Sequence, residues 1–334
     1  MLVTPNVGVR DARHRLHTVS FGAVFLEVVF GNTSRLPRPG EEIFIDRFAF
    51  SCGGAVTSAV AASRTGANAA MATVLGDDLG SRLAERLCSA EGVDLSPSER
   101  VEGPVAGITV VLNYESDRSF ITHMPLRQPT LGPEVDRWRE ILVRLRPAWA
   151  YVHANPAALG VLEVARSVGT RVALDVNLEE VEEFPEAVER CARLAQVFLP
   201  NEEELKRVTS CSELSEALEE ASSWCPWVVA KRGPKGAVVA EGGRTTEVTE
   251  GLKDVEVKDL TGAGDAFAGA LMGSLALGAN LLDAVCVANG AGSEAAARLG
   301  ASGEMDLAPD LARAAPARLA GGGSGPPGGQ CNRG

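Results

Sequence analysis

The sequence predicts an α/β protein of three layers, a mostly parallel central sheet with helices on both faces, to which a small β-sheet lid is added. Three observations predict this. Short runs rich in β-forming residues recur along the chain with helical stretches between them. Those runs are apolar on both faces, as strands covered by helices on both sides should be. Two other segments alternate apolar and polar residues and have no helix between their halves.

The core strands are expected at Met71–Leu75, Trp149–His153, Arg171–Val176, Val197–Leu199 and Trp227–Lys231. Helical stretches lie at Leu79–Glu91, Pro156–Val168, Pro185–Ala195 and Glu202–Val208. The two alternating segments read as hairpins. Ser20–Phe50 holds FLEVVF and EEIFIDRFAF, joined through PRPGE. Val105–His123 holds GITVVLNY and DRSFITH around a turn at Glu115–Asp117. Together they form a sheet placed to cover a site. The expected organisation is a polar tail over 1–18, one domain over 19–319 with lid strands from about 23–50 and 105–123, and a disordered Gly/Pro-rich tail over 320–334.

The 334 residues are enough to bury a large core. A formal net charge of −12 argues against nucleic acid and anionic membranes as partners. The seven cysteines are an odd number with no CxxC pair, so neither a disulfide framework nor a zinc site is expected. The basic residues Arg10, Arg13 and Arg15 are followed by no uninterrupted apolar run, because Glu27 breaks Phe21–Phe30. No signal peptide or membrane span is expected, and the location expected is the cytoplasm.

The chemistry concentrates in one stretch, DLTGAGDAFAGALMG, residues 259–273. Thr261, Gly262, Ala263 and Gly264 form a small-residue turn that opens a helix. Free N–H groups and the positive end of the helix dipole converge there, and glycine lets the backbone approach an anion closely. Asp265 stands in the first turn of that helix. The residues behind it are apolar or small on every side, so the helix is buried. An anion hole beside an ionised carboxylate suits phosphoryl transfer, with Asp265 accepting the proton of the attacking hydroxyl. The plain alternative is a helix start with no ligand.

This stretch resembles the C-terminal signature of the ribokinase-like, or phosphofructokinase-B-type, carbohydrate kinases, with Leu260 set between Asp259 and Thr261. Other stretches resemble that family in the same order, over about residues 19–315: PRPGEEIFIDRFAFSCGGAV, RTGANAAMATVLGDDLG, GITVVLNYESDRSFITH, LDVNLE, FLPNEEEL and VANGAGSEAAARLGA. No GxxxxGK[ST] loop occurs. The resemblance implies the ribokinase-like fold, ATP and Mg²⁺, possible use of a monovalent cation, and a small-molecule alcohol as acceptor. It places Asn201 and Glu204 at the Mg²⁺ and phosphates, Glu204 acting through water; Asn before three glutamates is equally good helix-cap chemistry. On the nucleotide side it also places Thr261, the turn carrying Gly233 and Gly236, and Asn289 with Gly292. Lys231 and Arg232 meet either phosphate or solvent.

On the acceptor side the resemblance implies Gly53, Gly54, Thr57, Asn177 and Asp265, and here the sequence departs from the family. Glu27 stands where the family has an Asp that grips substrate hydroxyls, Phe25 where it has Asn, and Thr57 where its glycine-rich signature ends in Asn. The phosphate side is intact and the acceptor side is altered. Phe25 and Glu27 share a strand face, so both line the pocket or both point away from it, Glu27 then facing solvent. The expected activity is an ATP-dependent sugar kinase. The alternatives are a nucleoside or other small-alcohol kinase, or a kinase homologue that binds nucleotide with altered activity. A dinucleotide-binding oxidoreductase lacks its Gly-rich motif after a first strand. An exposed lid sheet invites a homodimer.

Overall fold

The computed structural model describes residues 16–31, 33, 35–114, 118–125, 134–303 and 305. The expected tails, the turn at 115–117 and Cys331 lie mostly or wholly outside these residues. The main sheet has eight strands. In chain order they are β1 (Thr18–Phe21), β4 (Ala69–Ala72), β9 (Trp149–His153), β10 (Arg171–Asp175), β11 (Val197–Phe198), β12 (Trp227–Lys231), β13 (Ala237–Glu241) and β14 (Arg244–Val248). Their spatial order is β14-β13-β12-β11-β10-β9-β1-β4. From β4 to β12 every pairing is parallel, and β13 and β14 close one edge as antiparallel strands.

Helices cover both faces. On one side α3 (Glu134–Leu145), α4 (Ala158–Val168), α6 (Pro185–Ala192) and α8 (Leu214–Ser222) bury Trp138, Leu162, Val188 and Leu218 against Ala150, Val152 and Leu174 of the sheet. On the other side α9 (Ala263–Ala276) and α10 (Leu281–Ala296) bury Phe267, Leu271, Met272 and Val285 against Trp149, Ala173 and Val229. The α9 sequence is small or apolar all round, and it is sandwiched accordingly. Gly269 meets the Ser58 backbone of α1 (Ala55–Arg64), where any Cβ would clash.

The lid is a four-stranded sheet of order β3-β2-β7-β8, formed by β2 (Val24–Gly31), β3 (Arg47–Gly54), β7 (Gly107–Asn113) and β8 (Arg118–His123). The two expected hairpins are present and are joined by a parallel β2–β7 pairing. Two expected strands differ in more than their end residues. The alternation of Glu41–Asp46 forms no strand: the β2–β3 pairing runs only to Gly31 opposite Arg47, and Phe44 is 89 % exposed. The single strand expected at Met71–Leu75 is interrupted at Thr73. Its first part stays in the main sheet, and β5 (Val74–Leu75) leaves to pair with β6 (Glu99–Arg100). Asp78 caps the following α2 (Leu79–Ala90), taking the Ser81 N–H, and also accepts from the N–H groups of Val105 and Ala106 at the foot of the lid.

Candidate active site

Residues alternate across a strand, so the faces of β9, β10 and β12 decide what meets α9. Trp149, Ala173 and Val229 face α9. Two or four residues on, at the strands' C-terminal ends, Tyr151, His153, Asp175 and Lys231 face the same way. In open α/β sheets this end of the strands is where ligands bind. The N-terminus of α9 arrives at the same place, with Gly262 at φ 73° as its cap residue and Asp265 in its first turn.

The side chains meet in one polar cluster. The Tyr151 hydroxyl lies 2.8 Å from Asp265 Oδ1, 3.2 Å from Asp175 Oδ2 and 3.0 Å from His153 Nε2. Lys231 Nζ donates to Asp175 Oδ1 at 2.7 Å. A Cβ placed on Gly264 would stand 3.4 Å from that ammonium, so Lys231 lies directly under the glycine turn. Burial pulls the Lys231 pKa down, but the carboxylates of Asp175, Glu204 and Asp265 outweigh it and hold it above the ordinary value. Lys231 is thus not a solvent-facing residue: it is ion-paired with Asp175 at the floor of the site. Arg232 is likewise paired, with Glu202 and Glu247.

The turn before α9 is fixed by a buried carboxylate. Asp259 Oδ1 accepts from the Thr261 N–H at 2.9 Å and from its hydroxyl at 2.6 Å, and Oδ2 accepts from the Gly300 N–H at 2.8 Å. Leu260 between them turns outward and is 41 % exposed. Gly262 has no room for a side chain because Ala301 packs against its Cα.

The other expected residues lie on the elements around this cluster. Asn201 and Glu204 form a reciprocal capping box at the start of α7 (Glu202–Thr209), with the Asn201 N–H donating to Glu204 Oε2 at 2.7 Å. The Glu204 carboxyl is 8 % exposed, and burial, opposed by Lys231, raises its pKa to about 7. Asn177 and Glu180 make the same box at α5 (Leu178–Glu183). Gly233 and Gly236 hold left-handed turns between β12 and β13. The Asn289 amide donates to the carbonyls of Val248 and Glu250, and Gly292 lets α10 close on Ala263 and Phe267. Thr57 lines a groove of about 380 Å³ between α1, α9 and α10, in which Ala301 also takes part and Asp265 does not.

Glu27 is not on the solvent side of the lid: it is 5 % exposed and accepts the Ala301 N–H at 3.0 Å. Gly53, opposite Phe25, leaves the space its carboxylate occupies. Burial drives the Glu27 pKa to about 7, with the Ala301 hydrogen bond opposing and Asp259 and Asp265 adding to the rise. Phe25, on the same face, packs against Gly54 and Gly107.

The arrangement fits a nucleotide and a hydrated divalent cation. A dipole-bearing helix start with a left-handed glycine is followed by residues that leave room for an anion, and a buried carboxylate, Glu204, stands beside the floor lysine. Among the described residues no group of three His, Cys, Asp or Glu could hold a metal by itself. A magnesium ion here would accordingly depend on waters and phosphate oxygens. Tyr151, His153 and Asp175 were not among the expected site residues. Their signal was two side chains with polar tips at the C-terminal end of an otherwise apolar parallel strand.

The chain matches the model of the "pfkB family carbohydrate kinase" over residues 17–307. It is 28 % identical over 276 residues to aminoimidazole riboside kinase of Salmonella typhimurium, covering 75 % of this chain and 82 % of that protein. It is 24 % identical over 277 residues to cytidine kinase of Thermococcus kodakarensis, covering 81 % and 92 %. Among solved structures, an E. coli protein classed as ribokinase II, in complex with ATP and Mg²⁺, superposes with a TM-score of 0.72 at 21 % identity, covering 89 % of this chain and 98 % of that one. The three layers and lid are therefore the ribokinase-like fold. With the family model matched over residues 17–307 and the fold shared, this chain belongs to the pfkB family of carbohydrate kinases and is a phosphotransferase.

Proposed function

We propose that this kinase transfers the γ-phosphoryl group of ATP to a hydroxyl of a sugar or of the sugar ring of a nucleoside, with Asp265 as general base and the 262–265 turn as anion hole. The observation that carries this reading is the position of Asp265. It stands in the first turn of α9, beside the N–H groups at that helix start, and its Oδ1 lies 2.8 Å from a buried hydroxyl that holds it in place. The acceptor hydroxyl approaches Asp265 from the side of Gly53, Gly54, Thr57 and Asn177. Its O–H proton passes to Asp265 as its oxygen bonds to the γ-phosphorus, and ADP leaves. The N–H groups of Gly262 and Gly264 face the oxygens on which charge develops, while that of Ala263, in the same turn, donates to the Leu260 carbonyl at 3.3 Å. Asn201, Glu204, Lys231, Thr261, Gly233, Gly236, Asn289 and Gly292 form the nucleotide side. Glu204 would hold Mg²⁺ through water, and the ion would supply charge neutralisation at the phosphates.

The nucleoside reading stands beside the sugar reading because the curated relatives named above act on an aminoimidazole riboside and on cytidine. A screen of ATP consumption over sugars, sugar acids and nucleosides separates the two, with Asp265→Asn as the control and Na⁺ exchanged for K⁺ in parallel. Acceptor-dependent ADP formation that vanishes in the control is expected. Consumption by Asp265→Asn equal to wild type with every acceptor would overturn the assignment.

A further inference from the structure

Tyr151 is 1 % exposed, yet its hydroxyl meets three polar atoms: Asp265 Oδ1, Asp175 Oδ2 and His153 Nε2. A phenol has one proton to give, so at any moment it serves one of the two carboxylates. Desolvation first, then Asp175 and Asp265, hold its pKa well above the ordinary value, and it remains a donor across the working pH range. Behind it, His153 Nδ1 lies 3.2 Å from Glu180 Oε2, and Glu180 is itself fixed by its capping box with Asn177. Nδ1 therefore faces a carboxylate and Nε2 a hydroxyl that can accept, an arrangement that suits an imidazolium. The charged groups around the ring come from four elements: Glu180 of α5, Asp175 of β10, Asp265 of α9 and Glu204 of α7, with Lys231 of β12 behind Asp175. Burial works against the cation, and the carboxylates, led by Glu180, outweigh it.

We propose that Tyr151 and His153 are positioning residues for the base, a role that rests on the assignment of Asp265 above. With Asp265 ionised, His153 Nε2–H donates to the Tyr151 oxygen and the Tyr151 O–H donates to Oδ1. Tyr151 and His153 both lie on the Oδ1 side, which leaves Oδ2 to the acceptor. When the acceptor's O–H bond breaks and its O–P bond forms, the proton goes to Asp265, and the Tyr151 O–H turns to Asp175 Oδ2, whose charge Lys231 balances at 2.7 Å. No bond of Tyr151 or His153 is broken. The phenol follows the protonation state of the base by re-aiming one hydrogen bond, and the imidazolium keeps it oriented.

Two measurements test this. In the first, Tyr151→Phe, His153→Ala and His153→Gln are compared with wild type, using whichever of ribose, fructose, adenosine and cytidine is turned over, or ATP hydrolysis by water if none is. Tyr151→Phe is expected to lower kcat about 10- to 100-fold, the range for losing a hydrogen bond to a charged group. KM for ATP should stay within about twofold, and the acid limb of the kcat–pH profile should move to higher pH. His153→Ala is expected to follow it, and His153→Gln, which keeps an N–H donor, to recover part of the loss. A kcat–pH profile of Tyr151→Phe superimposable on wild type, with Asp265→Asn inactive, would overturn the positioning role and leave the base assignment standing; an active Asp265→Asn would overturn the base assignment itself.

The second measurement needs no acceptor. In the full chain labelled with ¹⁵N-histidine, four histidines are present, and the His153 signal is assigned by its loss in His153→Gln. Both its nitrogens are expected to carry protons at pH 7.5 in wild type, and its titration midpoint to fall in Glu180→Gln. A neutral imidazole at that pH, or a midpoint unmoved by Glu180→Gln, would overturn the arrangement even if Tyr151→Phe failed to fold.

Discussion

The Glu27 carboxylate, on lid strand β2, accepts the backbone N–H of Ala301 at 3.0 Å across 274 residues of sequence. Ala301 is also the residue packed against Gly262 at the start of α9. One buried acid thus ties the lid to the turn assigned as the anion hole.

That acid makes stability depend on pH. Its folded pKa is about 7 against an ordinary 4.5, chiefly through burial. A raised carboxyl contributes stability in full below the unfolded value and loses it as pH rises through the folded one. Thermal stability is therefore expected to fall between about pH 4.5 and 7. Glu27→Gln keeps an acceptor for Ala301 and removes the charge, so its melting temperature should be flatter over that window and higher than wild type at pH 8, by roughly 1–3 kcal/mol of stability. Parallel melts at pH 5 and pH 8 check this; equal slopes for both proteins would exclude it.

Asp265→Asn is expected to keep the fold and to bind ATP nearly as tightly as wild type, while kcat falls by roughly 10²–10⁴, the usual contribution of a general base. Calorimetric titration with ATP and steady-state turnover separate the two effects. Retention of more than half the wild-type turnover would remove Asp265 from the role.

Glu204→Gln should raise the Mg²⁺ concentration needed for half-maximal rate more than it changes the acceptor KM. The amide preserves the helix cap but loses the charge-assisted contact with metal-bound water. A Mg²⁺ titration identical to wild type would rule this out.

The lid face turned away from Glu27 exposes Phe48, Ile108 and Ile121, at 45 %, 44 % and 64 %. Directly paired residues share a face, so these belong to one apolar surface. Wild type is expected to sediment as a dimer joined through this face, and Ile121→Lys as a monomer. Sedimentation velocity decides it, and a monomeric wild type would end the idea.

Much of the fold was legible because its strands are apolar runs of ordinary length. Trp149–His153 and Trp227–Lys231 are strands over the expected residues, since burial on both faces requires the continuous pattern seen there. Thr73 was not legible as a break. Ala69–Ala72 and Val74–Leu75 are buried alike, and which sheet each joins depends on Glu99–Arg100, a two-residue partner with no pattern of its own. The alternation in Glu41–Asp46 misled for the converse reason: a pattern cannot show that no strand lies opposite. In the site, the glycine turn and Asp265 stood out by their small neighbours and the buried helix behind them. Tyr151, His153 and Asp175 did not, because they lie within or at the ends of strands that read as core, and only the convergence of β9, β10 and α9 gives them chemistry.

The contacts of the 300–305 turn with the lid have a bearing on biosynthesis. The Ser302 N–H donates to Ser51 Oγ, the Met305 N–H to the Phe50 carbonyl, and the Ala301 N–H to Glu27. Each joins residues translated some 250 positions apart, so the loop-closure entropy is met late and these pairings form slowly. On the ribosome, the lid strands emerge first and remain without their latch until residue 301 is made. The nascent chain can assemble most of its core in that interval, but the turn beside Gly262 stays unbraced, and phosphate-transfer competence arrives only as translation nears the C-terminal turn.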